Sequence, residues 1–582
     1  MNVFLSLLTI MKYHSKNVLF FIMTTILSVL LFNNNNNNSS QYLVVNGKKT
    51  SIATKPHILL VVADDFGWGD VSYHRQNGTY DKEVQTPTMD NLVKEGIELN
   101  RHYVHMTCTP SRTALQSGRL PVHVLQTLVG PCAVPAAMPR NMTGIASKMK
   151  LGGYMTHQVG KWDVGMAYPE STPKGRGYDT SLNYFGHGNW MWSQSEWGGS
   201  EDHQMDIPNT TIVDFWDTDK PAKTLNGTGS EEDLFRDRIV NILHDHHNKF
   251  QNEKPLFLNY DSKLIHYPLQ APKKYQDKFR FIKDDNRRIY SAMVNYFDDQ
   301  LKNITETMKA LGMWENTLMI FTSDNGAPVK NPLGPCNYTK FTSKLNPENP
   351  DIGKGTVCFN GEAGGNNWPL RGGKYSMFEG GTRVNAFISG GYIPKKMIGK
   401  KLNGMIHIAD WYGTLSSIAG VDPRDTKSEK YGLPKVDSIN VWPYLSGSVD
   451  TSPRKHYLMT KDAYVSGPWK YILPNTKMIE SNWGGEYYPN ASTTNDSIDN
   501  YSFLCPSTGC LYNVVEDPEE HNEVSSKYPE IVEELKVLLL KEVSTIYNVP
   551  HTNDPKCQEL AYEKYSGFYG PFREVKKKYT VI

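Results

Sequence analysis

The sequence predicts an α/β protein with a mainly parallel central sheet flanked by helices, followed by a smaller C-terminal domain of antiparallel sheet plus helix. Three observations carry this. Ile58-Leu59-Leu60-Val61-Val62-Ala63 is a continuous apolar run, as a strand buried on both faces requires. Met293, Phe297, Leu301, Ile304, Met308 and Leu311 recur at helical spacing, so buried strands alternate with long amphipathic helices. After Gly447 the runs shorten to segments such as Tyr457-Leu458-Met459 and Trp469 to Leu473, the pattern of a small antiparallel sheet.

Taken in order, the chain opens on a targeting segment. Lys12, His14 and Lys16 precede Val18 to Phe32, which is almost wholly apolar. That run falls short of the ~20 residues of a membrane span and reads as a signal peptide over residues 1–32. The apolar stretch Val3 to Met11 keeps a signal anchor open as the alternative, but no stable membrane span is expected. Residues 33–53 begin with an asparagine homopolymer and read as disordered.

The strand after Pro56 delivers Asp64 and Asp65 to its C-terminal end, where ligand sites of open α/β sheets lie. Adjacent carboxylates in such a place repel each other unless a cation holds them. Thr86-Pro87 to Gly96 has a cap, a proline at the first position and a terminal glycine, and forms a crossover helix. In the stretch His105 to Arg119, Pro110 fits a first helical turn, and Gly118 and Pro121 end the helix. Cys108 then sits at or just before a helix N-terminus, where free N–H groups favour developing negative charge. Arg112 is one turn on and can fold its guanidinium back toward Cys108. Tyr154 to Val159 is a short strand leading into Gly160-Lys161-Trp162-Asp163, and Pro255 to Tyr260 is another, ending near His266. Thr317 to Thr322 is a strand that terminates in Ser323-Asp324-Asn325-Gly326. The main domain is placed at 54–450 and the smaller one at 451–582, the latter with a helix from about Pro529 to Val543.

Cys108-Thr109-Pro110-Ser111-Arg112 resembles the Cys-x-Pro-x-Arg signature of the type I sulfatases. Val62 to Asp70 is similar to the first metal-binding loop of that family, and Thr322 to Gly326 to its second. Gly160 to Gly165 looks like the family's Gly-Lys-Trp-His-Leu-Gly motif, and Ile265 to Gln270 resembles its His-x-Pro-Leu segment. Leu370 to Arg383 resembles its lysine segment. Leu511-Tyr512-Asn513 with Glu516 to Asn522 looks like its C-terminal signature. These recur in family order over nearly the whole mature chain.

The resemblance implies an alkaline-phosphatase-like fold and a sulfuric ester hydrolase. It implies that Cys108 is oxidised to formylglycine (3-oxoalanine) by the formylglycine-generating enzyme. The metal set implied is Asp64, Asp65, Asp324 and Asn325, with oxidised residue 108 joining them. These offer only hard oxygens, which suits Ca²⁺ and disfavours zinc. The catalytic set implied is Cys108, Arg112, Lys161, His266 and Lys374, with His266 as general acid at the leaving alcohol. Three carboxylates against Ca²⁺, then Arg112, Lys161, Lys374, Asp163 and a monoanionic sulfate ester, bring the charge near zero, as a buried site requires. One position departs from the pattern. Asp163 stands where the family usually has histidine, and the expectation is that Asp163 replaces it as the base of the elimination step. The substrate implied is a sulfate monoester, either a small aryl sulfate or a sulfated carbohydrate.

Bulk properties agree with a secretory route, lysosomal or secreted. At 582 residues the chain exceeds a single core. A net charge of +1 argues against nucleic acid as a partner. Asn77, Asn141, Asn209, Asn226, Asn303, Asn337, Asn490, Asn495 and Asn500 each open a glycosylation sequon. Of seven cysteines, setting aside Cys108 leaves six, an even number that an oxidising compartment favours. Among the many pairings open to six, short separations favour Cys505–Cys510 and Cys336–Cys358, with Cys132–Cys557 remaining.

Other candidates carry less. Trp190, Trp192 and Trp197 can stack on a sugar ring or simply pack. His244, His246 and His247 read as a solvated helix face, and His407 and Asp410 as structural. Arg383 is a candidate brace for the metal carboxylates.

Overall fold

The computed structural model describes residues 42–45, 48–51, 55–75, 82–196, 212–251, 253–329, 339–340, 356–357, 364–479, 481–486 and 502–574. The expected signal segment lies outside them. The chain divides into two units, Met1–Lys55 and Pro56–Ile582. Within the first, Tyr42–Val45 and Lys48–Ser51 pair as an antiparallel hairpin inside the segment read as disordered. The Asn46-Gly47 dipeptide between two β-prone runs is a hairpin signal that the homopolymer beside it obscured.

The second unit is built on a ten-stranded sheet. Its strands are β1 (His57–Ala63), β2 (Ile97–Leu99), β3 (Met155–Lys161), β4 (Thr180–Tyr184), β5 (Trp216–Asp217), β6 (Lys220–Pro221), β7 (Leu256–Asp261), β8 (Thr317–Ser323), β9 (Phe387–Ser389) and β10 (Lys400–Leu402). They lie in the order β6-β5-β4-β3-β7-β1-β8-β9-β2-β10. The inner five, β4-β3-β7-β1-β8, are all parallel. The outer strands β5, β6 and β9 run antiparallel to their neighbours.

Helices cover both faces, which is why β1 reads as an unbroken apolar run. Ile58, Leu60 and Val62 pack on one side with residues of α2 (Cys108–Ser117) and α3 (Ile145–Leu151), whereas Leu59, Val61 and Ala63 pack on the other with Met89 and Leu92 of α1 (Pro87–Lys94). That second side is filled from α4 (Glu231–Phe250) and α5 (Asp285–Ala310), through Phe235, Ile239, Leu243, Met293, Phe297, Leu301, Ile304 and Met308. Helix α5 begins before the first residue of its predicted stripe because Asp284 caps it, accepting from the Arg287 backbone N–H at 2.7 Å. His246 faces this core rather than solvent. It shares a face with Ile239, Ile242 and Leu243, is 4% exposed, and lies 5.6 Å from the His57 ring. His244 is exposed, as read.

Beyond the large sheet, β11 (His456–Thr460), β12 (Ala463–Ser466), β13 (Trp469–Ile472) and β14 (Cys510–Asn513) form a wholly antiparallel sheet. Its core takes in Leu535 and Leu539 of the helix Pro529–Val543, and also Tyr103, Leu120, Met377 and Phe378 from earlier in the chain. Cys132–Cys557 and Cys505–Cys510 are disulfides. Cys336, Cys358 and Trp197 lie outside the described residues. Among the described residues no helix is long and apolar enough to cross a membrane.

Candidate functional site

Parallel strands place their C-terminal ends together, and here those ends carry the charges. Ser323 pairs with Ala63, Asp261 with Val62, and Gly160 with Asp261. The next residues out, Asp64, Asp324 and Lys161, with Asp261 itself, therefore converge at one edge. Gly160 has φ +108°, and a Cβ there would collide with the Asp261 carbonyl oxygen, so glycine alone lets β3 and β7 approach. Asp65 has φ +59°. That left-handed turn breaks the alternation of an extended strand and turns both carboxylates of the pair into one cluster with His266.

The metal set predicted from sequence is brought together and fully buried. Asp65 Oδ1 accepts from Asn325 Nδ2 at 2.7 Å, and the Asp65 backbone N–H donates to Asp324 Oδ1 at 3.3 Å. Lys161 Nζ lies 2.8 Å from Asp64 Oδ2, and Lys374 Nζ lies 2.8 Å from Asp65 Oδ1. Arg112 places Nη2 2.8 Å from Asp324 Oδ2 and Nη1 3.3 Å from Asp261 Oδ1. Its guanidinium thus serves the carboxylates rather than folding onto Cys108. His266 donates from Nδ1 to the Tyr267 carbonyl at 2.6 Å and holds Nε2 3.7 Å from Asp65 Oδ2. Burial, then the charges of Lys374 and Lys161, hold its imidazole well below the usual range.

Cys108 is the first residue of α2 and the one free cysteine among the described residues. Gly118 ends that helix in the left-handed conformation at φ +69°. The Cys108 Sγ, an Asp163 oxygen and a His187 ring nitrogen lie within 4.8 Å of one another. Burial pushes the thiol up, so it is a poor thiolate nucleophile as it stands.

The donor set fits a divalent cation. Asp64 Oδ1 and Asn325 Oδ1 are buried without a hydrogen-bond partner, a costly state unless something else meets them. Five buried carboxylates (Asp64, Asp65, Asp163, Asp261, Asp324) face three cations (Arg112, Lys161, Lys374). The deficit of two positive charges is what a dication restores. It also shows in Asp64, which burial and then the Asp324 charge push well above the usual carboxylate range.

Comparison with known proteins decides the family. The profile of the family described as Sulfatase matches residues 56–421. The chain belongs to the sulfatase family. It is 30% identical over 550 residues to mouse (Mus musculus) arylsulfatase J, covering 91% of this chain and 82% of that one. It is 24% identical over 488 residues to mouse N-acetylgalactosamine-6-sulfatase, covering 81% of this chain and 79% of that one. Among solved structures, Ps i-CgsB in complex with k-i-k-neocarrahexaose aligns with a TM-score of 0.64 at 22% identity, over 88% of this chain and 98% of that one. The PsFucS1 sulfatase from Pseudoalteromonas sp. aligns with a TM-score of 0.59 at 22% identity, over 86% and 92% of the two chains. The fold is the alkaline-phosphatase-like one expected, and the protein is a sulfuric ester hydrolase. The expectation from the motifs was a likeness to arylsulfatase B and its near relatives. The relatives matched here are arylsulfatase J and the galactosamine sulfatases.

In this sulfatase the position that departs from the family pattern is enclosed by donors. Asp163 has φ +48° and is 1% exposed. Its carboxylate accepts from Thr109 Oγ1 at 3.0 Å and lies 3.2 Å from His187 Nδ1 and 3.7 Å from Lys161 Nζ. Burial pushes this carboxyl up, but His187 and Lys161 outweigh it and hold it at about 2.

His187 is the residue that sequence reading missed. Its only signal was its place just beyond Tyr184, the end of a central strand, in Tyr184-Phe185-Gly186-His187-Gly188. Asp261, the carboxylate behind Arg112, was missed because the predicted strand stops at Tyr260, whereas β7 runs one residue further. Arg383 does not brace the metal carboxylates. Its Nε donates to the Asn100 carbonyl at 2.6 Å, and its guanidinium lies over Trp68 and near Glu379. Asp70 leaves the first metal loop to pair with Arg287 at 2.7 Å. Trp192 packs against the core behind β1. Asp410 pairs with Arg454 at 2.5 Å, a structural role as expected.

Proposed function

We propose that this sulfatase hydrolyses sulfate monoesters, aryl sulfates in vitro and sulfated carbohydrate in its natural setting, using Ca²⁺ and a formylglycine made from Cys108. One observation supports the reading: a buried cysteine at a helix N-terminus lies near enough to Lys161, Lys374 and Asp324 to feel their charges, and those lysines hold the carboxylates at the end of a central parallel strand. Asp64, Asp65, Asp324 and Asn325 would hold the ion. When present, the ion and the aldehyde hydrate supply a hydroxyl nucleophile acidic enough to attack sulfur.

The chain's own residues do the rest. Lys161 and Lys374 move from carboxylate to sulfate oxygens, each such donor supplying roughly 3 kcal/mol to the transition state. Arg112 fixes Asp324 and Asp261 through its fork. His266, whose Nδ1 proton is held by the Tyr267 carbonyl, presents Nε2 to the departing alcohol and would act there as general acid once the bound anion has drawn a second proton onto the ring. A carbohydrate leaving group is supported by a cavity of about 480 Å³ whose lining includes His105, Met106, Gln126, Tyr375, Lys477 and Tyr547. Tyr375 adjoins Lys374, and His105 Nε2 is buried without a hydrogen-bond partner. Aromatic faces beside polar tips suit a sugar ring.

A secretory route, lysosomal or secreted, with maturation by the formylglycine-generating enzyme, belongs to the same reading. The disulfides support it, since such bonds persist in oxidising compartments.

The test is turnover of a paired aryl sulfate and aryl phosphate, with and without chelator, alongside the peptide mass at residue 108. Sulfate preference, chelator sensitivity and an aldehyde mass are expected. A thiol mass with no sulfate turnover would overturn the reading.

A further inference from the structure

We infer that His187, oriented by Asp163, carries the proton removed when sulfate is expelled. The inference rests on the function proposed above and assigns a residue that the motifs did not reach. The expectation from sequence was that Asp163 itself is the base. The geometry favours a pair instead.

Asp163 is already a satisfied acceptor. Thr109 Oγ1 donates to it at 3.0 Å, Lys161 stands 3.7 Å away, and His187 Nδ1 lies 3.2 Å from Oδ1 and 3.3 Å from Oδ2. A carboxylate whose oxygens already accept from Thr109 and His187 is poorly placed to take a further proton, whereas the imidazole that gives Nδ1 to it keeps Nε2 as an acceptor. Asp163 fixes its tautomer with the proton on Nδ1 and stabilises the imidazolium that forms, which is how a carboxylate serves a histidine base.

His187 is also well placed to discharge the proton. Its side chain is 12% exposed, against 1% for Asp163, so it joins the buried centre to solvent. The loop that carries it is held on both sides. The Phe185 and Gly186 backbone N–H groups donate to Asp214 at 2.8 and 2.7 Å. A Cβ at Gly188 would lie 3.1 Å from His266 Nδ1 and from the Tyr267 carbonyl, so the loop packs directly on the His266 turn. One ring nitrogen falls in the 4.8 Å cluster with Cys108 Sγ and Asp163.

The step balances without another reactant. His187 takes the proton of the remaining hydroxyl on residue 108, and the O–H electron pair closes the carbonyl. The C–O bond to sulfate breaks with its pair going to sulfate, and His187 later returns the proton to water. In this step Asp163 acts through the imidazole and is a positioning residue.

The experiment uses matured enzyme with a radiolabelled aryl sulfate, comparing wild type, His187→Gln, His187→Ala with added imidazole, and Asp163→Asn. For His187→Gln, kcat is expected to fall about 10²-fold or more, with KM within about threefold. Label is expected to remain on the denatured protein, and added imidazole should restore part of the rate to His187→Ala. In an unmatured Cys108→Ser background, calorimetric affinity for the aryl sulfate is expected to be the same with and without His187→Gln. Asp163→Asn is expected to lose no more than His187→Gln, because Asp163 acts only through the imidazole. The inference is overturned if His187→Gln keeps kcat within threefold, if it weakens affinity in step with turnover, or if Asp163→Asn alone abolishes turnover. A wild type with no sulfate turnover would instead sink the proposed function, and this inference with it.

Discussion

Lys374 holds both oxygens of Asp65, with Nζ at 2.8 Å from Oδ1 and 3.0 Å from Oδ2. The two residues are 309 positions apart, and the contact neutralises a carboxylate that the proposed ion would otherwise neutralise. Burial disfavours the Lys374 ammonium, but Asp65 outweighs this and holds it well above the usual lysine range. A cation so held is ready to exchange partners when metal and substrate arrive.

Lys374→Ala should therefore act twice. Loss of a donor to the sulfate oxygens should cost about 10²- to 10³-fold in kcat/KM. Without metal, Asp65 is left buried and unpaired, so the variant should melt well below wild type in chelator and recover most of the difference in Ca²⁺. Scanning calorimetry at fixed chelator and fixed Ca²⁺ checks this. Equal losses in both conditions would contradict the account.

Arg112 is a structural tie before it is anything else. It joins Asp324 and Asp261 at 2.8 and 3.3 Å and lies 3.9 Å from Asp64. Arg112→Ala should destabilise the chain by roughly 3 to 5 kcal/mol, because the carboxylates stay buried without their partner. Arg112→Lys should fold better but lose the two-pronged contact. Urea unfolding of secreted protein measures both, and an unchanged midpoint for Arg112→Ala would contradict the role.

Acid stability should be limited by buried imidazoles that are not part of the proposed metal set. His102 Nε2 accepts from Trp411 Nε1 at 3.0 Å, and His57 Nδ1 accepts from the Leu256 backbone N–H at 3.2 Å. Burial holds His102 down at about 3. Burial and then His246 hold His57 at about 4. Their unfolded values lie near 6.5, so the unfolded chain binds more protons as pH falls. The stability these groups contribute is fully present above about pH 6.5 and is lost as pH falls toward 4 and then 3. Each unit of separation is worth about 1.4 kcal/mol. His102→Gln keeps an acceptor that does not titrate, and should flatten the decline in unfolding free energy between pH 6.5 and 4. An identical slope in that variant would contradict this.

The fold was legible where one signal dominates. Buried parallel strands have to be apolar, so β1 and β8 were found with their terminal carboxylates. The helix at Pro529–Val543 carries a proline at its start and was found with the same bounds. The site was legible where chemistry forces a residue type, as at Asp64, Asp65, Asp324 and Cys108. It was not legible where partners meet only through packing. Nothing near His187 announces its contact with Asp163, because β3 and β4 bring their ends together across 24 residues. Arg383 misled for the converse reason. A charge beside a metal loop looks like part of it until its own partner, Asn100, is seen.

The most direct measurement is a high-resolution crystal structure of the secreted protein grown in Ca²⁺. The account predicts one ion bound by Asp64, Asp65, Asp324 and Asn325 at oxygen distances of about 2.3 to 2.6 Å. It also predicts an oxidised side chain at residue 108 beside the ion, and Lys374 withdrawn from Asp65. A thiol at residue 108, with Lys161 and Lys374 still on their carboxylates and no ion between them, would contradict it.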